Sequence, residues 1–219
     1  LPLGLNFRPV TFTDDKAPYL CDNLERTVSN ILDQPEARRP DGSKYNLYRD
    51  GLKIYTTIDS RMQAYAEKAV EEHMPVIQKK LDYYFKLRGD KLWKGHDNVI
   101  ESAMKFTERW KTLEEDGMKP EDIKKTFFVP VKMKVFSWWG NDKHEKDTVM
   151  TPFDSIKYHK QLLQTSFAAM DPRTGEIKCW VGGINYKWFK FDHVTARRQV
   201  GSTFKPLLYT LAVTDAGYT

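Results

Sequence analysis

A serine and a lysine three residues apart, Ser202 and Lys205, sit in the run Arg197-Arg198-Gln199-Val200-Gly201-Ser202-Thr203-Phe204-Lys205-Pro206. A serine hydroxyl is a poor nucleophile until a neighbour takes its proton. A lysine can take it only with a lowered pKa, and a helix N-terminus and burial both favour the neutral amine. The flanking residues supply the helix. Phe204, Leu207, Leu208 and Leu211 fall at i, i+3, i+4 and i+7, the apolar stripe of a helix docked on a core. Pro206 lacks an N–H, which is harmless only in the first turn, so the helix begins at about Ser202, with Gly201 giving the sharp entry. Ser202 would then stand at the positive end of the helix dipole, beside N–H groups able to stabilise an oxyanion. Lys205 shares its face. The competing reading is a serine N-cap followed by a solvated lysine, the commoner meaning of a bare Ser-x-x-Lys.

The wider run Arg-Gln-Val-Gly-Ser-Thr-Phe-Lys-Pro-Leu-Leu-Tyr, residues 198–209, resembles the active-site signature of the penicillin-binding proteins, in particular the bifunctional class A peptidoglycan synthases. A second stretch, Gly51-Leu52-Lys53-Ile54-Tyr55-Thr56-Thr57-Ile58-Asp59 followed by Gln63, Ala66, Glu67 and Ala69, is similar to the segment joining their glycosyltransferase and transpeptidase domains. Two separated matches in the right order are more specific than either alone. The resemblance implies an α+β fold, in which helical segments and a small linker sheet lead into the incomplete start of a serine β-lactamase-like transpeptidase domain. It implies a serine-type D,D-transpeptidase: Ser202 as nucleophile, Lys205 as its general base, and no cofactor or metal. The implied partners are peptidoglycan stem peptides, the lipid-linked precursor and β-lactam antibiotics. The implied place is the periplasmic side of the bacterial inner membrane, with an anchor and an upstream glycosyltransferase outside this sequence. The family's Ser-x-Asn and Lys-Thr-Gly motifs are not found. Arg173-Thr174-Gly175 looks like the latter but lies in a turn before the nucleophile. The chain taken alone is therefore expected to turn over little.

Composition sets the outer bounds. With 219 residues, 40% hydrophobic and 30% charged, the chain can bury a core and is not of disordered type. The net charge of +5 is spread along the chain and favours an anionic neighbour. No aromatic-flanked basic motif of a nucleic-acid module is present, so that partner is not expected. Cys21 and Cys179 lack metal spacing and read as two separate thiols. No apolar run approaches the roughly 20 residues needed to span a bilayer. The chain opens Leu-Pro-Leu without a Met and reads as an excerpt of a larger protein.

The elements that must carry this chemistry divide into four parts. Residues 1–44 resemble the end of a glycosyltransferase domain and a polar linker: an extended stretch over 1–18, then a helix from Tyr19 to Leu32. Residues 45–74 hold a strand over Leu52–Ile58 and a helix capped by Asp59-Ser60, with Met62, Tyr65, Ala66, Ala69, Val70 and His73 on one face. Pro75 should kink or restart that helix. Residues 75–164 form a mostly helical insert. One helix from Asp97 to about Gly117 turns Val99, Ile100, Met104, Phe106 and Trp110 mostly inward, and a short helix spans Glu121–Phe127. A strand over 131–137 pairs with Leu52–Ile58, a polar turn covers 140–147, and Thr151-Pro152 starts a helix to about Leu163. Residues 165–219 hold a hairpin, Thr165–Met170 with Glu176–Val181, then an aromatic-rich loop and the Ser202 helix packed against the hairpin sheet. Trp138 and Trp139 could be a carbohydrate platform, with edge or core packing the commoner role. Two other functions fit the same residues. One is a non-catalytic interaction region of a cell-wall synthase; the other is a D,D-carboxypeptidase or β-lactamase-like hydrolase, which would have no use for the Gly51–Asp59 linker.

Overall fold

The computed structural model describes residues 16–215, 217 and 218. The expected extended stretch over 1–18 lies, up to residue 15, outside them. The described residues form an α+β fold of seven α-helices and two separate two-stranded antiparallel sheets. Helix α1 (Pro18–Leu32) begins with proline at its first position, where no donor is wasted, and buries only Tyr19. Helix α2 (Ser60–Arg88) starts where expected, because the Asp59 carboxylate accepts from the N–H groups of Arg61 (2.8 Å) and Met62 (3.2 Å).

Two expectations about this region fail. Residues 52–58 form no strand. Their end reaches the later hairpin, where Thr57 Oγ1 donates to the Ile177 carbonyl (2.7 Å) and Asp59 N–H to that of Lys178 (2.9 Å). Pro75 does not break α2 either. It removes one intrahelical donor, the partner of the Glu71 carbonyl, and Glu71 is exposed, where solvent can take that group.

The middle of the chain folds on itself. The single helix expected over 97–117 is two, α3 (Asp97–Lys105) and α4 (Glu108–Glu115), because Thr107 Oγ1 accepts from Trp110 N–H and caps a new start. Ile100, Met104 and Trp110 do turn inward, whereas Phe106 and Val99 are exposed. With Ile123 of α5 (Pro120–Thr126) and Phe127 the inward three make one apolar core, on which Phe153 and Ile156 pack. Strand β1 (Val131–Phe136) pairs antiparallel with β2 (Glu145–Met150), from Val131 opposite Met150 to Phe136 opposite Glu145. The expected pairing with 52–58 and the turn over 140–147 are thus corrected. Closing the short loop between β1 and β2 loses less chain entropy than pairing across some seventy residues. Thr151 caps α6 (Pro152–Lys160) by accepting from Asp154 N–H (3.0 Å).

The second sheet is the expected hairpin. Strands β3 (Phe167–Met170) and β4 (Ile177–Val181) pair from Phe167 opposite Val181, and the Asp171 carboxylate accepts from Arg173 and Thr174 N–H in the turn. Two buried glutamines of α2 tie the parts together. Gln63 donates from Nε2 to the Trp180 carbonyl (2.9 Å) and accepts at Oε1 from Trp180 N–H (2.7 Å), standing in for a neighbouring strand on the free edge of β4. Gln78 brackets the chain after α6 in the same way, donating to the Gln161 carbonyl (3.2 Å) and accepting from Leu163 N–H (2.7 Å). A second apolar core of Met74, Phe136, Trp138 and Leu162 fills the space between α2, β1 and the aromatic loop.

Candidate active site

Ser202 lies in a 3-10 turn, Gly201–Phe204, which runs into the last helix, α7 (Lys205–Thr214). The α-helix therefore begins three residues later than expected. An α-helix started at Ser202 would need its first bond from the N–H of residue 206 to the Ser202 carbonyl, and Pro206 has none. The Lys205 N–H takes that carbonyl instead, which tightens the turn to 3-10. Gly201 enters the turn with φ of 52°, in the left-handed region. Thr203 holds the turn from its other side, donating both N–H (3.1 Å) and Oγ1 (2.5 Å) to the Val200 carbonyl. Lys205 follows at the junction with α7. Among the described residues no hydrogen bond joins the Ser202 hydroxyl to the Lys205 amine, and both residues are exposed.

The apolar stripe behind them is exposed as well: Leu207 is 65% accessible and Leu211 54%. Among the described residues the expected docking of this helix on a core, and on the hairpin sheet, is not found. The sequence pattern of a buried helix is present, and no described residue covers it.

The loop delivering Ser202 is, by contrast, firmly built. It leaves β4 through Gly182-Gly183, against which the ring of Tyr19 from α1 lies so closely that a Cβ on Gly182 would be 2.6 Å from Tyr19 Cγ, and one on Gly183 2.7 Å from Tyr19 Cζ. The Tyr19 hydroxyl donates to the Phe189 carbonyl (2.6 Å), and burial pushes its pKa up. Buried Asp192 accepts from Trp180 Nε1 (2.9 Å) and from Val194 N–H (2.9 Å), and His193 N–H donates back to the Gly182 carbonyl (2.8 Å). Trp188 and Phe189 pack on the second core, so these loop aromatics serve its own packing. Arg198 Nη2 meets His193 Nδ1 at 2.9 Å, and burial, then the Arg198 charge, lowers the His193 pKa. Trp138 is buried and Trp139 exposed. Glu145 accepts from Lys187 (2.5 Å) and lies 3.5 Å from Lys134; the Lys187 bond holds its carboxyl below the usual range.

Among the described residues no group of three His, Cys, Asp or Glu side chains is placed to hold a metal ion, and no helix is long and apolar enough to cross a membrane. Sequence reasoning singles out Gln63 only within the linker resemblance, and it misses the structural roles of Gln63, Gln78, Tyr19 and Asp192. Their signal was faint, since a buried glutamine inside a helical pattern looks like any surface glutamine.

A family model described as the penicillin-binding protein middle domain matches residues 84–163. Penicillin-binding protein 1A of Escherichia coli (strain K12) is 24% identical over 93% of this chain and 26% of its own length. Penicillin-binding protein 1A of Neisseria flavescens is 27% identical over 87% of this chain and 28% of its own. Penicillin-binding protein 2D of Bacillus subtilis (strain 168) is 48% identical, over 26% of this chain and 8% of its own length. The chain thus spans about a quarter of the length of the first two of these relatives. No solved structure matches it.

Proposed function

We propose that this chain, a relative of the class A penicillin-binding proteins, is the part of a peptidoglycan synthase that carries the nucleophile of its D,D-transpeptidase. The observation that carries the reading is Ser202 on a tight turn at the mouth of α7, with Lys205 one position past the turn, in a chain similar to penicillin-binding protein 1A relatives over most of its length. In the reaction, Lys205 as free amine takes the Ser202 Oγ proton while Oγ adds to the carbonyl of a terminal D-Ala-D-Ala bond. The Ser202 N–H supplies half of the oxyanion hole. Collapse breaks the C–N bond, the departing D-Ala takes up the proton, and an acyl-serine ester remains. The amine of a neighbouring stem peptide then attacks that ester, forms the cross-link and returns Ser202. A β-lactam opens on the same oxygen and stays.

The same reading divides the chain into the end of a glycosyltransferase domain and linker (1–44), the interdomain strand-like segment and helix start (45–74), the middle unit (75–164) and the start of the transpeptidase domain (165–219). It places the protein on the periplasmic face of the inner membrane, acting on lipid-linked precursor and stem peptides. It also holds that the 219 residues alone turn over little.

The test is the intact mass of the full-length protein after incubation with benzylpenicillin, beside Ser202→Ala. One added penicillin on the Ser202 peptide, absent from the variant, is the expected result. A folded full-length protein with no adduct would leave Ser202 a turn residue and favour a non-catalytic role.

A further inference from the structure

Trp139 is the only exposed tryptophan among the described residues, 56% accessible beside the buried Trp138. The chain holds this large apolar ring in water firmly. The turn between β1 and β2 is closed by Ser137 N–H, which donates to the His144 carbonyl (2.8 Å). Asn141 Oδ1 accepts from the N–H groups of Lys143 and Glu145 (both 3.0 Å). Trp139 N–H itself donates to Ser137 Oγ (3.3 Å). A Cβ on Gly140, the next residue, would run into the Glu145 carbonyl, so the chain passes this point only as glycine. No described ring stacks on Trp139, and no described acceptor meets its indole N–H.

A cavity opens on either side of the ring. The larger, of about 530 Å³, lies between Trp139 and Lys79, Asp82, Tyr83 and Lys86 of α2. Those four fall at i, i+3, i+4 and i+7, on one face of a helix that the Gln78 bonds fix to the chain at Gln161 and Leu163. Tyr83 is exposed there. The smaller, of about 200 Å³, is walled by Val135, Ser137, Lys146, Thr148, Met150 and Tyr158, with Lys146 its one charged group. Lys79, Lys86 and Lys146 make no ion pair with a described residue, whereas Asp82 is engaged by Gln78 Nε2 (2.7 Å). The surface around the ring is therefore cationic and concave on both flanks.

This charge and shape select the occupant. A neutral ligand would leave three ammonium groups without counter-charge. An anionic bilayer would meet the lysines, but a flat surface touches the tip of Trp139 and leaves both flanking cavities empty. An extended acidic polypeptide matches every feature. Its carboxylates meet the lysines, an apolar side chain fills the larger cavity against Trp139 and Tyr83, and a backbone carbonyl takes the indole N–H. Trp and Tyr are also the side chains that most often anchor protein interfaces. We propose that Trp139 and the Lys79–Lys86 face of α2 form a docking surface for an acidic segment of a partner protein, with one aliphatic or aromatic residue of that segment seated beside Trp139. The assignment stands on this surface's charge and shape and does not need the Ser202 chemistry.

The experiment titrates the full-length protein with the synthetic peptide Glu-Asp-Glu-Leu-Phe-Glu-Asp-Glu, read by fluorescence polarisation of an attached dye and by calorimetry. Trp139→Ala should weaken binding about thirtyfold, the loss of one anchoring aromatic. Lys79→Glu with Lys86→Glu should weaken it about tenfold and flatten its dependence on salt. All three side chains are exposed, so each variant should keep the wild-type melting midpoint, measured alongside. A peptide with Ser-Ser in place of Leu-Phe should bind about tenfold less tightly, having no apolar anchor. No binding of the first peptide at low salt, binding that Trp139→Ala leaves unchanged, or equal binding of the serine peptide would each overturn the proposal. Trp139-dependent binding to phosphatidylglycerol vesicles without binding of the peptide would overturn it too, and make the surface a membrane contact.

Discussion

Gln63 shows how a single side chain can decide an edge. Its amide pairs with both the N–H and the carbonyl of Trp180, so replacing it with leucine leaves two backbone groups of β4 without partners. Each such group costs about 1–3 kcal/mol, and Gln63→Leu should lower stability by about 2–5 kcal/mol in chemical denaturation. A change below 1 kcal/mol would mean that solvent reaches that edge. The half-buried imidazole of His159, stacked on Trp188, titrates with a definite sign. Burial lowers its pKa, so the folded chain binds its proton less readily than the unfolded chain does. Stability is therefore complete above the unfolded value of about 6.5 and falls as the pH drops below it. Glu145, held low by Lys187, adds a second loss at more acid pH, as pH falls through its depressed folded value. In urea titrations from pH 7.5 to 5, His159→Gln should flatten the first decline; an unchanged slope would place the acid sensitivity elsewhere.

Elements here are placed by close approach more than by propensity. Tyr19 of α1 lies on Gly182-Gly183, and Gly182→Ala would put a methyl 2.6 Å from both Tyr19 Cγ and Asp192 Oδ1. Overpacking of this kind costs about 1–3 kcal/mol. The variant should melt earlier, and proteases should cut the 184–200 loop faster; equal melting would show that α1 can move aside. Local signals read well from sequence. Asp59, Thr151 and the Asp171 turn announced their helices and hairpin, because caps and turns are decided within four residues. Long-range choices did not. Residues 52–58 look like a strand but meet β4 only through Thr57, with Asp59 and Gln63 continuing the contact, and only the assembled fold tells the two apart. The break at Thr107 was legible in principle, being a cap inside an apolar pattern, but periodicity outweighed it. Ser202 itself stood out by motif, but Pro206 read as a first-turn residue put the α-helix at Ser202, and the 3-10 turn that delays it to Lys205 was not legible.

On the scale of the whole molecule, polar brackets and two small cores hold the described residues together, while the 3-10 turn and α7 present Phe204, Leu207, Leu208 and Leu211 to solvent. An apolar stripe of that length favours association. The 219-residue chain should bind a hydrophobic dye and self-associate in light scattering, and Leu207→Lys with Leu211→Lys should reduce both without moving the melting midpoint. A melting point lowered by several degrees would show that the stripe is covered after all. The Gln78 bracket has a different reach. It pins Gln161 and Leu163 to α2, so the chain leaves and returns at one spot, while Phe136 and Trp138 between them pack on Met74 of the same helix. The stretch matched by the middle-domain model, 84–163, falls almost wholly inside that bracket and brings a core of its own. The entropy of closing a loop grows only with the logarithm of its length, about 0.6 kcal/mol per doubling. Lineages could therefore lengthen or shorten the loops around the Ile100 core while Phe136, Trp138 and Leu162 kept the frame in place, as with an attachment fitted to a fixed mount.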